Sequence, residues 1–476
     1  MQYKMLINGQ WVDARSGNIW DVINPATEET IISVPFGNDI DANEAINAAH
    51  AAQPRWAAMT AYERGAILQK VADLIRARLD ELAPIMTREC GKVLAESRAE
   101  WNGAAAYFEW FAEEGKRAYG RIIPARAPGK RLMSIPTPVG VVATITAWNF
   151  PAVLPARKWG AALAAGCTVV GRPSELTPMC AMAIANLFME AGAPPGVLNV
   201  VNGEPESIGQ AFMQSPLVEK ISFTGSQRVG RLLMRGAADG LKRLHLELGG
   251  SAPVLVFDDV DVESAVKLSV QAKFRNNGQV CISPARFYVH RNLFEDFLDL
   301  SQSLAGSLVV GDGLKDGVNV GPMVNAVGRE RVETFVKDAV DKGARVVTGG
   351  GRPSNLGRGY FYQPTVLTNV TPDMRVSCDE VFGPVMPISP FESLEEGLRL
   401  ANDTPYGLAA YVHTRNLNTA IKAYEGLKFG IVGVNDMVVA TAEAPFGGMK
   451  QSGHGREGSE EGLEEYLEAK FVSMLP

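Results

Sequence analysis

Apolar and polar positions along the chain fall into three successive patterns. LINGQWVDA and WDVINPATEETIISVPFG alternate residue by residue around the turn-forming Asn24-Pro25, and predict a small opening sheet. Over residues 40–117 apolar residues recur at intervals of three and four in IDANEAINAAHAAQPRWAAM, ERGAILQKVADLIRARLDELAPIM and SRAEWNGAAAYFEWFAEEGKRA, which predicts three amphipathic helices. YGRIIPARAPGKRLMSIPTPVGVVATIT, rich in Pro and β-branched residues, reads as an extended ribbon leading into a strand, and a projecting ribbon is a candidate for subunit contact.

Beyond residue 140 short apolar runs take over. VVATIT, CTVVGRP, VLNVVNG, VEKISFTG and HLELGG alternate with helical segments such as TPMCAMAIANLFMEAG and SQRVGRLLMRGAA, the signature of a parallel sheet with crossover helices. A second series follows: APVLVF, a helix over 261–274, RFYVH, FEDFLDLSQSLAGSL, ERVETFVKDAVDKGARVVTGG, LEEGLRLAND, LAAYVHT and GIVGVND. The expected fold class is α/β, two parallel-sheet α/β domains in tandem plus a β-ribbon. The expected bounds are 1–118 with 139–248, then 249–448, with 119–138 and 449–476 forming the ribbon and C-terminal segment. A chain of 476 residues is long enough for two or three cores.

Composition narrows the function more than the fold. A hydrophobic fraction of 46% with 21% charged residues is that of a globular enzyme. A net charge of -7 without basic runs argues against nucleic acid. No apolar run approaches the roughly 20 residues of a membrane span, and MQYKMLINGQW does not open like a secretory signal, so a cytoplasmic protein is expected. The five cysteines are odd in number and scattered, which suggests neither a disulfide framework nor a zinc site. The five histidines never fall at paired ligand spacing, and no metal is expected.

The candidate chemistry is concentrated between residues 241 and 281. Cys281 follows Asn276-Asn277-Gly278-Gln279, a polar turn at a helix end that favours access, although a cysteine among apolar neighbours is more often a small core residue. Glu247 lies in LHLELGG between two leucines. Desolvation there would raise its pKa toward that of a useful base, the alternative being a strand residue facing solvent. In ISFTGSQRVG an apolar strand ends at Gly225-Ser226 where a helix begins, a place for a pyrophosphate or simply a strand-to-helix turn. In CTVVGRPSELTP, Arg172 and Glu175 at a strand end suit a ribose, Glu175 accepting from its hydroxyls, or else form a surface ion pair. G-H-G-R-E-G at 453–458 matches a dinucleotide motif only in spelling, since no strand precedes it and no βαβ unit follows.

Together, ITAWNFP, GRPSELTP, FTGSQRVG, LELGG, FRNNGQVC, EVFGPV and PFGGMKQSG resemble the aldehyde dehydrogenase superfamily, in its order and spacing over nearly the whole chain. EWFAEEGKRAYGRIIP, FRNNGQVCISPARF and GREGSEEGLEEYLEAK resemble most its succinate semialdehyde and 2-oxoglutarate semialdehyde dehydrogenases. The resemblance implies a Rossmann-like cofactor domain, a catalytic domain and NAD(P)-dependent oxidation of an aldehyde to an acid. Cys281 would attack as a thiolate, the Asn149 side chain and the Cys281 N–H would hold the oxyanion, and Glu247 would activate the water that hydrolyses the thioester. The cofactor would meet Trp148, Arg172, Ser174, Glu175, Gly225, Ser226, Leu248, Glu380 and Phe382. Homodimers or homotetramers would form through the ribbon and LEAKFVSMLP.

Two positions depart from the family's usual pattern: Ala147 stands where Pro mostly precedes Trp-Asn, and Arg172 where Lys mostly precedes Pro-Ser. Arginine presents a planar fork in place of a point donor, so ribose contacts would be rearranged, and NADP stays open. NAD is favoured because the carboxylate of Glu175 would repel a 2′-phosphate. For the substrate, Arg157 and Arg275 match relatives that oxidise semialdehydes bearing a carboxylate, unless either bridges helices instead. Ala440, in the expected tunnel rim DMVVATAEA, stands where succinate semialdehyde dehydrogenases tend to have a hydroxyl. 2-Oxoglutarate semialdehyde and small hydroxyaldehydes remain as alternatives, and a cofactor-independent thiol hydrolase using Cys281 and Glu247 is the competing class.

Overall fold

The computed structural model describes residues 1–475. Its first sheet has eight strands in the order Gly453–His454, Arg243–Leu248, Val218–Gly225, Val141–Ile145, Thr168–Arg172, Leu198–Val200, Met5–Ile7 and Gln10–Val12. The run from Arg243–Leu248 to Leu198–Val200 is parallel, and the outer strands at both edges are antiparallel. The second sheet has seven, in the order Arg345–Thr348, Thr365–Thr368, Val385–Phe391, Pro284–His290, Ala252–Val256, Ala409–His413 and Ile431–Val434. All of its pairs are parallel except the first. Parallel strands with crossover helices are buried on both faces, which is why these segments read as unbroken apolar runs.

Three expectations need correction. The opening strands do not form one small sheet. Met5–Ile7 and Gln10–Val12 close the edge of the eight-stranded sheet, whereas Ile19–Asn24 and Glu29–Pro35 pair separately. The expected three helices are four, Asp39–Ala58, Ala61–Ala77, Leu79–Cys90 and Leu94–Glu114, because Arg78 leaves helical geometry at ψ 22° and splits the second apolar stretch. The segment after residue 448 is not confined to the ribbon. Leu467–Met474 does pair with Arg131–Pro138 along eight residues, but Gly453–His454 joins the first sheet beside Leu246 and Glu247.

The helix Val153–Ala165 organises the first lobe, and all 13 of its residues are buried. Trp159 donates to Thr144 Oγ1 at 2.8 Å, and Gly160 lets Phe111 approach to 3.0 Å of where a Cβ would stand. Fixed by this packing, the helix carries Arg157 and Lys158 beneath the sheet. Among the described residues no helix is long and apolar enough to cross a membrane, and no group of three or more His, Cys, Asp or Glu is placed to hold a metal ion.

Candidate active site

Four neighbouring parallel strands of the first sheet end at the same edge, and the chemistry-bearing residues follow them. Trp148 and Asn149 come after Val141–Ile145; Arg172, Ser174 and Glu175 end or follow Thr168–Arg172; Gly225 and Ser226 end Val218–Gly225; Glu247 and Leu248 end Arg243–Leu248. The carboxyl edge of such a sheet is where ligands gather, since the loops after the strands and the helix N-termini open there. The second lobe contributes Cys281, just before Pro284–His290, and Glu380 and Phe382, just before Val385–Phe391.

Cys281 owes its place to an unusual turn. Asn276 and Asn277 both adopt left-handed backbone, φ 48° and 53°, and Gly278 follows at φ 73°. Asparagine is among the few side-chain residues that tolerate this region. An added Cβ on Gly278 would meet Gly383 O at 2.2 Å, so only glycine fits. The turn is pinned to the first lobe: Asn276 N donates to the Glu96 carboxylate at 3.1 Å, and Asn276 Nδ2 to Asn149 O at 3.1 Å. Lys92, buried in an ion pair with Glu100, donates to the same Asn149 oxygen at 2.9 Å. The Asn149 amide in turn donates to Gln279 O at 3.0 Å. Asn149 is thus locked against the Cys281 turn, with the second amide hydrogen left for a ligand.

Cys281 is partly exposed at a cavity of about 270 Å³, also lined by Arg157, Arg275, Phe150, Tyr107 and Ala440. Burial pushes its thiol up to about 12, opposed by the Arg157 charge. Glu247 is 2% exposed, so the solvent-facing alternative does not hold. Burial, and then the neighbouring Glu457, raise its pKa well above the carboxylate range, while Lys158 and Arg157 oppose. Its Oε1 lies 3.3 Å from His245 Nε2, and its Oε2 has no partner. Gly250, three residues on, passes close to Cys281, an added Cβ there standing 3.1 Å from Cys281 O. A larger cleft of about 640 Å³, lined by Arg286, Cys378 and Asp403, contains none of the residues singled out in the sequence.

The arginines differ. Arg157 lies 3.5 Å from Glu457 and sits over the Phe446 and Tyr107 rings, while its buried Nε has no hydrogen-bond partner. Arg275 lies over Phe150 at 5.6 Å and enters no ion pair among the described residues. Glu457, 3% exposed, was missed by sequence reasoning. It belongs to the G-H-G-R-E-G string and meets Lys158 at 2.6 Å across 299 residues, a pairing with no local signal.

The cofactor-half residues fit a dinucleotide. Arg172 bonds Glu175 at 2.6 Å and Gly203 O at 2.9 Å, yet its buried Nε is unpartnered, as is Thr224 Oγ1 beside Gly225. Of the two readings of Glu175, the structure forms the ion pair, with Arg172 buried and Glu175 partly exposed. Ser226 caps the helix Gln227–Ala238, accepting from Val229 N, and leaves the preceding N–H groups of that end for an anion. Leu248 packs on Gly230, and the Ser174 hydroxyl accepts from Leu176 N at 3.3 Å. Trp148 and Phe382 meet edge to face at 5.5 Å, and Glu380 accepts from Gly250 N at 3.1 Å. An added Cβ on Gly249 would meet Glu380 Oε2 at 2.1 Å, so the glycine makes this crossing between lobes.

A two-lobed α/β fold with this thiol, this buried carboxylate and these strand-end loops is that of an NAD(P)-dependent aldehyde dehydrogenase, and the chain belongs to the aldehyde dehydrogenase family, whose model matches residues 11–472. Among its relatives, the mitochondrial succinate-semialdehyde dehydrogenase of Oryza sativa subsp. japonica is 47% identical over 469 residues, 98% of this chain and 89% of that protein. The succinate-semialdehyde dehydrogenase (NADP(+)) GabD of Escherichia coli is 46% identical over 467 residues, covering 98% and 96%. The crystal structure of betaine aldehyde dehydrogenase from Staphylococcus aureus in complex with NAD+ superposes with a TM-score of 0.98 at 35% identity, covering 100% of this chain and 95% of that one.

Proposed function

We propose that the chain oxidises a semialdehyde bearing a distal carboxylate, succinate semialdehyde being the first choice, to the dicarboxylic acid. The observation that carries this reading is an arginine without a carboxylate partner, Arg275, in the same cavity as Cys281. Arg275 clamps the distal carboxylate; Arg157, tied to Glu457, adds field more than a contact. Two of the relatives named above carry succinate semialdehyde in their names, which supports the same choice.

Cys281 is the nucleophile. It gives its proton to water, the thiolate sulfur attacks the aldehyde carbon, and the resulting oxyanion is held by Asn149 Nδ2 and the Cys281 N–H. Bound along the strand ends, NAD(P) supplies the hydride acceptor. Trp148, Arg172, Ser174, Glu175, Gly225, Ser226, Leu248, Glu380 and Phe382 hold it, with NAD preferred because Glu175 repels a 2′-phosphate. The oxidised carbon stays on sulfur as a thioester. Glu247 takes a proton from water, the hydroxide oxygen bonds to the carbonyl carbon, and the C–S bond breaks to release the acid.

Residues 1–118 and 139–248 serve the cofactor, with 453–466 folded onto them, and 249–448 carry the nucleophile. The ribbon, residues 119–138 with Leu467–Met474, exposes Ile122, Phe471 and Met474 and serves a homodimer or homotetramer in the cytoplasm. Arg275→Gln should raise KM for succinate semialdehyde about 10- to 100-fold, the loss of one charge-assisted bond, and leave KM for propanal unchanged. An equal rise for both aldehydes would remove the clamp.

A further inference from the structure

Beneath Glu247 lies a chain of buried, hydrogen-bonded polar side chains that the reaction outlined above leaves unexplained. His245 precedes Glu247 by two residues, so both project from the same face of the strand Arg243–Leu248. The parallel register sets Ser222 beside His245 and Thr224 beside Glu247. His245 is fully buried, with Nε2 at 3.3 Å from Glu247 Oε1 and Nδ1 at 3.3 Å from Ser222 Oγ. Lys158 Nζ donates to Ser222 Oγ at 3.0 Å and to Glu457 Oε1 at 2.6 Å, and Tyr466 OH donates to Ser222 Oγ at 3.4 Å. Room for the imidazole comes from Gly455, φ 87°, where an added Cβ would stand 2.4 Å from His245 Cδ2.

Counting donors settles the hydrogens. A hydroxyl accepts twice and donates once. Both lone pairs of Ser222 are taken by Lys158 and Tyr466, so its one hydrogen goes to His245 Nδ1. The imidazole then carries its proton on Nε2, which faces Glu247.

We propose that His245 is a positioning residue for Glu247: locked as the Nε2–H tautomer by Ser222, it donates to Oε1, leaves Oε2 as the free oxygen and holds the carboxylate in its ionised, water-activating form. The surroundings agree. Around His245 stand Lys158 from the helix Val153–Ala165, Lys220 from the adjoining strand, and His454 and Arg456 from the C-terminal segment; burial first and then the Lys158 charge keep the imidazole neutral. Around Glu247 stand Glu457, which disfavours its charge, and Lys158, Arg157 and Arg456, which favour it. A neutral donor beside it favours the charged carboxylate without adding a further buried cation.

The proposal rests on Glu247 being the water-activating base, and the test separates the two. The full-length His245→Leu, His245→Gln, Ser222→Ala and Glu247→Gln variants are assayed with NAD+ and succinate semialdehyde for the pH profile of kcat and the pre-steady-state NADH burst. His245→Leu should move the acid limb up by about one pH unit and lower kcat about tenfold at pH values below the limb, with burst rate and kcat/KM unchanged. Gln, which offers both a donor and an acceptor, should return the limb toward wild type. Ser222→Ala, which frees the tautomer, should move it in the same direction by less, and decides the matter should the Leu variant not fold. Limbs superimposed on wild type in His245→Leu, or in Ser222→Ala where that variant decides, while Glu247→Gln stalls after one burst, would overturn the role of His245 alone. Glu247→Gln turning over at the wild-type rate would remove the base reading itself.

Discussion

Glu247 lies in a regular strand, in unbroken register with Val218–Gly225 over six residue pairs, whereas Cys281 follows three consecutive residues in left-handed backbone. The proposed base is held by ladder hydrogen bonds and surrounded by groups from three distant parts of the chain: Lys158, Ser222 and Glu457. The proposed nucleophile is aimed by its own turn, and that turn is tied across the lobes by Glu96 and Asn149. A strand delivers a side chain into a prepared environment and allows little adjustment; a strained turn sets direction, and holds only while its anchors do. The difference teaches where each can be damaged: the base through its remote electrostatic partners, the nucleophile through local backbone.

The sharpest way to break the turn without touching a reacting atom is Gly278→Ala. The new methyl would have to displace Gly383 O, and the residue's φ of 73° is strained for alanine. A shift of the sulfur by about 1 Å should lower kcat/KM about 100-fold, with NAD+ affinity, read by fluorescence titration, nearly unchanged. Activity within a few-fold of wild type would mean that the turn is softer than its geometry implies. Removing an anchor acts on stability instead. Glu100→Ala leaves Lys92 buried without its carboxylate and frees Ala152 N and Val153 N, which donate to Glu100. Denaturant unfolding should show a loss of about 3–5 kcal/mol.

The smallest effects are those of pH. Burial holds the Cys281 thiol near 12, so iodoacetamide alkylation of Cys281 should keep climbing through pH 9 and 10; a plateau near 8.5 would show an ordinary thiol. Glu247 must be ionised to act and its pKa is raised. The acid limb of thioester hydrolysis should therefore lie above the ordinary carboxylate range near 4, with activity rising as pH rises through it.

Much of this was legible in the sequence because parallel-sheet strands announce themselves as apolar runs, and the motif residues follow those strands directly. Arg172 and Gly225 could be placed at strand ends for that reason. What stayed hidden depends on contacts between remote segments. Glu457 looked like part of a misleading glycine string, yet it pairs with Lys158 inside the core. The split at Arg78 was hidden because apolar periodicity continues across it on both sides, and the destination of Met5–Ile7 because a strand's own pattern does not name its partner. The two arginines of the cavity looked equivalent in sequence, and their different neighbours, Glu457 among them, become visible only in the fold.

The division of labour between sulfur and carboxylate is tested most directly by trapping. Glu247→Gln, incubated with NAD+ and succinate semialdehyde and digested after quenching, should yield a peptide acylated at Cys281 together with one NADH per site, and Cys281→Ala should yield neither. Steady NADH production by Cys281→Ala, or a Glu247→Gln enzyme that turns over without any acylated Cys281, would contradict the account.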